Sequence, residues 1–61
     1  MTATRIAICK NLTNVTLDLD QARYALEGSN FGGAIDAIET AISVLQTQIR
    51  TIVRLDLEGQ A

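Results

Sequence analysis

The chain has 61 residues and a mass of 6.6 kDa, so it forms one domain at most, and a chain this short buries only about 60% of its unfolded surface. One cysteine, Cys9, and no histidine exclude an intrachain disulfide and argue against a zinc site. A net charge of −2 withholds the broad basic face on which non-specific nucleic-acid affinity rests, and disfavours a basic amphipathic membrane helix.

The composition is nonetheless 48% hydrophobic, with a mean hydropathy of +0.20, too apolar for a disordered chain. In so small a protein the surplus must be buried somewhere, most simply against another copy of the chain.

In chain order, the first predicted helix covers about residues 4–27. Ile8, Leu12, Val15, Leu19, Ala22 and Leu26 are spaced 4, 3, 4, 3, 4, which is a heptad pattern. Asp20 with Arg23, and Arg23 with Glu27, support it as pairs three and four residues apart. A competing strand period runs through Val15, Leu17 and Leu19, and Asn11 to Thr16 is poor in helix formers. The expectation is a helix with a break allowed at 11–16 and a restart capped by Thr16. A turn follows at 28–30, with Gly28 placed for a left-handed helix end and Ser29 or Asn30 as the next cap.

The second predicted helix covers about residues 30–57. Phe31, Ile35, Ile38, Ile42, Leu45, Ile49 and Ile52 are spaced 4, 3, 4, 3, 4, 3, and Ala34, Ala37, Ala41, Val44 and Leu55 flank that stripe. Arg50 and Arg54 lie toward its C-terminal end, Arg54 is four residues from Glu58, and Gly59 is expected to close it.

Gly28, Phe31, Ala34, Ile35, Ile38, Ala41 and Ile42 resemble the second half of a tetratricopeptide repeat, over about fifteen residues. The first-helix pattern of that family is missing and nothing repeats, so the resemblance implies hairpin packing and carries no function. The architecture is also similar to small dimeric hairpins that form four-helix bundles.

The reading of the whole is an all-α, antiparallel helical hairpin that self-associates into a multi-helix bundle. The apolar stripe on the second helix is too wide for one partner helix, and isoleucine at both heptad sites disfavours a simple pair in parallel coiled coils. A homodimer is the first expectation, with trimers to hexamers next, and the oligomer interface is assigned to Phe31, Ile35, Ile38, Ile42, Leu45, Ile49 and Ile52.

No catalytic constellation is visible, and neither a cofactor nor a metal site is assigned. Without histidine the commonest general base is absent. Asp36 and Glu39 read as a solvated face, and Cys9 as a small buried hydrophobe. The longest uncharged run, Thr40 to Ile49, is about half a membrane span, and MTATRIAICK shows no long apolar signal region. With a lone thiol these fit a cytoplasmic protein.

One cluster stands out. Arg23, Tyr24, Ser29, Asn30, Phe31, Gly32 and Gly33 gather both aromatics and two glycines around the turn. A glycine pair in the first helical turn costs about 1–2 kcal/mol relative to alanine. Either helices pack closely there, or an anion approaches the bare N–H groups, with Arg23 pairing its charge and an aromatic stacking on a base.

The leading functional reading is a non-enzymatic, homo-oligomeric interaction protein acting as adaptor, regulator or inhibitor of a partner protein, with Asp18, Asp20, Gln21 and Glu27 as an acidic contact surface. Chains of this size are often accessory factors, among them phage- or plasmid-encoded inhibitors. The alternative is an oligomer that sequesters an anionic small ligand such as a nucleotide at Gly32-Gly33. A nucleic-acid binder gathering Arg5, Lys10, Arg50 and Arg54 at one end ranks third.

Overall fold

A computed structural model of the chain describes residues 2–60, and side chains up to residue 59; the expected domain, 1–61, extends to end residues outside these. Two helices, α1 (Ala3–Glu27) and α2 (Phe31–Gln60), pack against each other as a hairpin measuring 49 × 17 × 10 Å, with no strand among the described residues. The all-α hairpin expected from the heptad patterns is therefore the fold.

Helix α1 begins at Thr2, whose Oγ1 accepts the Arg5 N–H at 3.2 Å, a cap the sequence pattern did not single out. It runs through Asn11 to Thr16 without the break allowed there. The Thr13 and Thr16 hydroxyls donate to the carbonyls of Cys9 and Thr13, at 3.0 and 2.6 Å, so these residues satisfy themselves within the helix. Thr16 is an interior residue and caps nothing, and Val15 between them is buried against α2.

The turn corrects one assignment. Gly28 is not left-handed (φ −90°, ψ 9°); Ser29 is, at φ 61°. The Ser29 N–H donates to the Leu26 carbonyl at 3.0 Å and the Asn30 N–H to the Ala25 carbonyl at 2.7 Å. This paired closure places the left-handed residue one position later than the glycine. Asn30 then caps α2. Its carbonyl accepts from Ala34 N–H and its Oδ1 accepts from Gly33 N–H, at 3.1 and 3.0 Å. At the far end, α2 continues through Gly59 to Gln60, so Gly59 does not close the element.

The packing seam falls on the alanine flank of α2 rather than on its isoleucine stripe. On α1 it runs through Ile8, Asn11, Val15, Asp18, Ala22 and Ala25; on α2 through Ala34, Ala37, Ala41, Val44, Gln48 and Leu55. Ala34 and Ala41 are at most 2% exposed, whereas six members of the isoleucine stripe are 39–63% exposed and Leu45 is half-buried. The alanine flank faces α1 and the isoleucine stripe faces outward. Likewise Ile8, Val15 and Ala22 are buried, but Leu12, Leu19 and Leu26 are exposed. Small side chains allow two helices to approach, and the bulky stripe set about 100° away is turned out of the contact.

Within the seam lies one polar pair. Asn11 Nδ2 donates to Gln48 Oε1 at 3.2 Å, and Gln48 Nε2 donates to the Val44 carbonyl at 3.3 Å. Gln48 is only 5% exposed, so these bonds offset the desolvation of its amide.

Three variants test this packing by urea denaturation at fixed protein concentration. Ala41→Leu overpacks the seam and should cost about 1–3 kcal/mol. Asn11→Ala removes a donor from the buried Gln48 amide and should also cost about 1–3 kcal/mol. Asn11→Leu combined with Gln48→Leu should recover most of that loss, because no polar atom is then stranded. An unchanged stability for Ala41→Leu would place the seam elsewhere.

Candidate functional site

The turn cluster is built at the closed end of the hairpin. Tyr24 is 78% exposed, and Ser29, Asn30, Phe31 and Gly32 are also exposed. Arg23 binds Asp20 at 2.9 Å, as expected, and is the only ion pair among the described residues; neither Arg23–Glu27 nor Arg54–Glu58 forms. Exposed pairs of this kind contribute little.

The two glycines differ. A Cβ on Gly33 would stand 2.5 Å from Asn30 Nδ2 and 2.9 Å from Asn30 Cγ, while nothing lies within 4 Å of one on Gly32. The space beside Gly33 is filled by the capping side chain, and its N–H already has an acceptor in Asn30. The cost of this glycine is thus accounted for by the cap, with no bound anion required.

The larger feature is an apolar face. At about 100° per residue, Leu12, Leu19 and Leu26 lie roughly 70° to one side of the α1 seam, and the isoleucine stripe lies roughly 100° to the same rotational side of the α2 seam. In antiparallel helices the same rotational sense turns both groups toward one face of the hairpin. Asp36, Thr40, Ser43 and Thr47 on α2, and Lys10, Asn14 and Gln21 on α1, occupy the opposite face. All the residues assigned to the oligomer interface therefore share one exposed surface, joined by the three leucines of α1.

At the open end this face deepens into a cleft of about 550 Å³ lined by Arg5, Ile8, Cys9, Ile52, Leu55, Asp56 and Gly59. Cys9 is exposed there, which corrects its assignment as a buried hydrophobe. It falls on the outer side of α1, past the seam residue Ile8. The cleft has no signature in the sequence. It exists because the register of the hairpin sets Arg5 and Cys9 of one helix beside Ile52 and Asp56 of the other.

Charge is divided along the hairpin. The half nearer the turn carries Asp18, Asp20, Glu27, Asp36 and Glu39 against Arg23 alone. The open half carries Arg5, Lys10, Arg50 and Arg54 against Asp56 and Glu58. The net charges are −4 and +2, consistent with the total of −2.

No group of three metal-ligating side chains is found among the described residues, and no helix there is long and apolar enough to cross a membrane. No protein-family model, no curated protein and no solved structure matches the chain.

The glycines can be separated by experiment. Gly32→Ala should stabilise the protein by about 0.5–1 kcal/mol, since its Cβ enters open space. Gly33→Ala should gain less or lose, because the Asn30 amide must swing off the helix end. In an Asn30→Ala background that difference should vanish. Equal effects of the two alanines with Asn30 present would refute the cap as the reason for Gly33.

Proposed function

We propose that the chain is a non-enzymatic, homo-oligomeric helical interaction protein, an adaptor, regulator or inhibitor that acts on a partner protein as an assembly of hairpins. The observation that carries this reading is the apolar face formed by the isoleucine stripe and the leucines of α1, exposed in the single hairpin.

Its size supports self-association. The surface area of the chain is 4736 Å². A compact folded monomer of this mass presents about 3,900 Å². The excess is close to the roughly 800 Å² that one partner contributes to a stable interface of ordinary size. Heptad spacing along the exposed stripe is also the spacing that lets one helix seat its side chains between those of another. A second copy of the same stripe meets that requirement with no other partner needed.

Packing two such faces together leaves the polar sides outward, with Asp20, Glu27, Asp36 and Glu39 concentrated at the closed end of each hairpin. That acidic end is the surface offered to a partner protein, and a basic counterpart fits it best. The sequestration of an anionic ligand gains no support from the turn, where Gly33 serves the Asn30 cap.

Native mass spectrometry and light scattering at micromolar concentration test the reading. The expected mass is twice the 6.6 kDa of the chain or a higher multiple, with no small molecule retained. Ile42→Asp, which changes an exposed side chain in the hairpin, should weaken association at least tenfold while the far-ultraviolet circular dichroism remains helical. A monomeric wild-type protein would sink the proposal, and a co-purified anion lost in Gly32→Asp would transfer support to the ligand reading.

A further inference from the structure

We infer that two hairpins stack face to face and tip to tail, each seating Phe31 in the open-end cleft of its partner. This rests on the self-association proposed above and specifies its geometry: the occupant of the cleft is a second copy of this chain.

Two kinds of two-fold axis can stack the apolar faces of identical hairpins. An axis parallel to the helices sets closed end beside closed end and lays α1 over the partner's α2. An axis across the helices, within the interface, sets closed end beside open end and lays each helix antiparallel over its own copy. The charge distribution separates the two. The first arrangement puts two closed halves of net charge −4 side by side, and the second puts each beside an open half of net charge +2. The difference is carried largely by residues on the outward faces, Lys10 and Asp36 among them.

The residue pattern fits the second arrangement. In an antiparallel pair of α2 helices, Ile35 falls opposite the partner's Ile52, Ile38 opposite the partner's Ile49, and Ile42 opposite the partner's Leu45. The axis then passes midway between Ile42 and Leu45. The midpoint of Leu12 and Leu19 on α1 lies at the same level, because Asn11 bonds Gln48 across the seam and fixes which residues of the two helices stand side by side. One axis therefore pairs the isoleucines of α2 and the leucines of α1 together. A register one heptad shorter also pairs them, but it shortens the overlap by about 10 Å and leaves both clefts open.

In the longer register Phe31 lies opposite the partner's Asp56. Asp56, with Arg5, Ile8 and Ile52, lines the cleft, and that cleft opens on the apolar face. Phe31 is the sole phenylalanine and the most exposed member of the stripe, at the extreme end of the face. Its ring is mostly exposed in its own hairpin, and the cleft is left open between the helix ends. The cleft, about 550 Å³ and open to solvent, has room for an aromatic ring lying against Ile8, Ile52 and Leu55. The two-fold axis makes both seats at once.

Disulfide mapping tests the geometry. In a Cys9→Ser background, one variant carries Phe31→Cys with Asp56→Cys and a second carries Phe31→Cys with Ile49→Cys. A third, Ile35→Cys with Ile52→Cys, keeps Phe31 and reads the same register if the first fails to assemble. Within one chain, positions 31 and 56 are about 37 Å apart, so no bridge forms inside a hairpin. Under mild oxidation the first and third variants should become covalent dimers, with 31–56 and 35–52 links identified in the tryptic digest. The second should remain largely uncrosslinked. Dominant 31–31 links would overturn the tip-to-tail arrangement, and efficient 31–49 linking would overturn the seating of Phe31. An assembled wild type whose third variant does not crosslink would overturn the register while leaving self-association intact. A monomeric wild type would remove both.

Discussion

Close approach of the two helices along the alanines of α2 is the constraint on which the remaining features depend. Ala34, Ala37 and Ala41 present so little side chain that α1 can lie against the backbone of α2 over the closed half of the hairpin. Had the isoleucine stripe faced α1, its bulk would have held the helices apart and left the alanine flank exposed. With the alanines inward, the large side chains are displaced to a neighbouring face. The internal core is then thin, consisting of Ile8, Val15, Ala22 and the alanines, with Gln48 bonded to Asn11. A thin core and a thick exposed apolar face are two consequences of one choice of seam.

Much of this was legible in the sequence, and the part that was not has a definite physical origin. Both helices, the turn at 28–30 and the antiparallel order follow from periodicity and from the Gly-Ser-Asn link. The rotation of each helix about its axis does not. Ala34, Ala37, Ala41, Val44, Gln48, Thr51 and Leu55 keep the same alternation of three and four as the isoleucines. Two heptad stripes thus exist side by side on α2, and size alone favours the larger one as the core. On α1 the deciding residues are polar. Asn11 and Asp18 occupy heptad positions of the real seam, and a hydrophobicity pattern passes over them. The Asn11–Gln48 bond spans 37 positions, so neither residue could be assigned its role from its neighbours.

The turn shows the same division between local and non-local information. A helix end was expected at Gly28 because glycine tolerates the left-handed region without strain. The chain places Ser29 there instead, and the reason lies in the bonds on either side. Continuing α1 to Glu27 lets Asn30 reach back to the Ala25 carbonyl and still cap α2 through Gly33. Shifting the left-handed residue to Gly28 would move Asn30 out of the capping position. The Gly32-Gly33 pair is costly in a first helical turn, and the sequence suggests close helix packing or an anion as the offset; at Gly33 neither is needed. What offsets it is the side chain three residues earlier, a contact inside the same turn.

A hairpin built this way is polarised in two directions at once. Across its thickness one face is apolar and the other is hydrated. Along its length the closed end is acidic and the open end basic. In the proposed assembly the first polarity would drive association without setting a direction, since hydrophobic burial is insensitive to which end meets which. The second contributes little to stability at physiological salt, where exposed charges more than about 8 Å apart are screened. Between proposed arrangements that bury similar apolar area it would still favour the one that keeps the two acidic ends apart. The bulky ring of Phe31 at one end and the open cleft at the other add shape to the same discrimination. In the proposed dimer, orientation would thus be specified by the ends of the hairpin, while the isoleucine stripe between them would supply the bulk of the attraction.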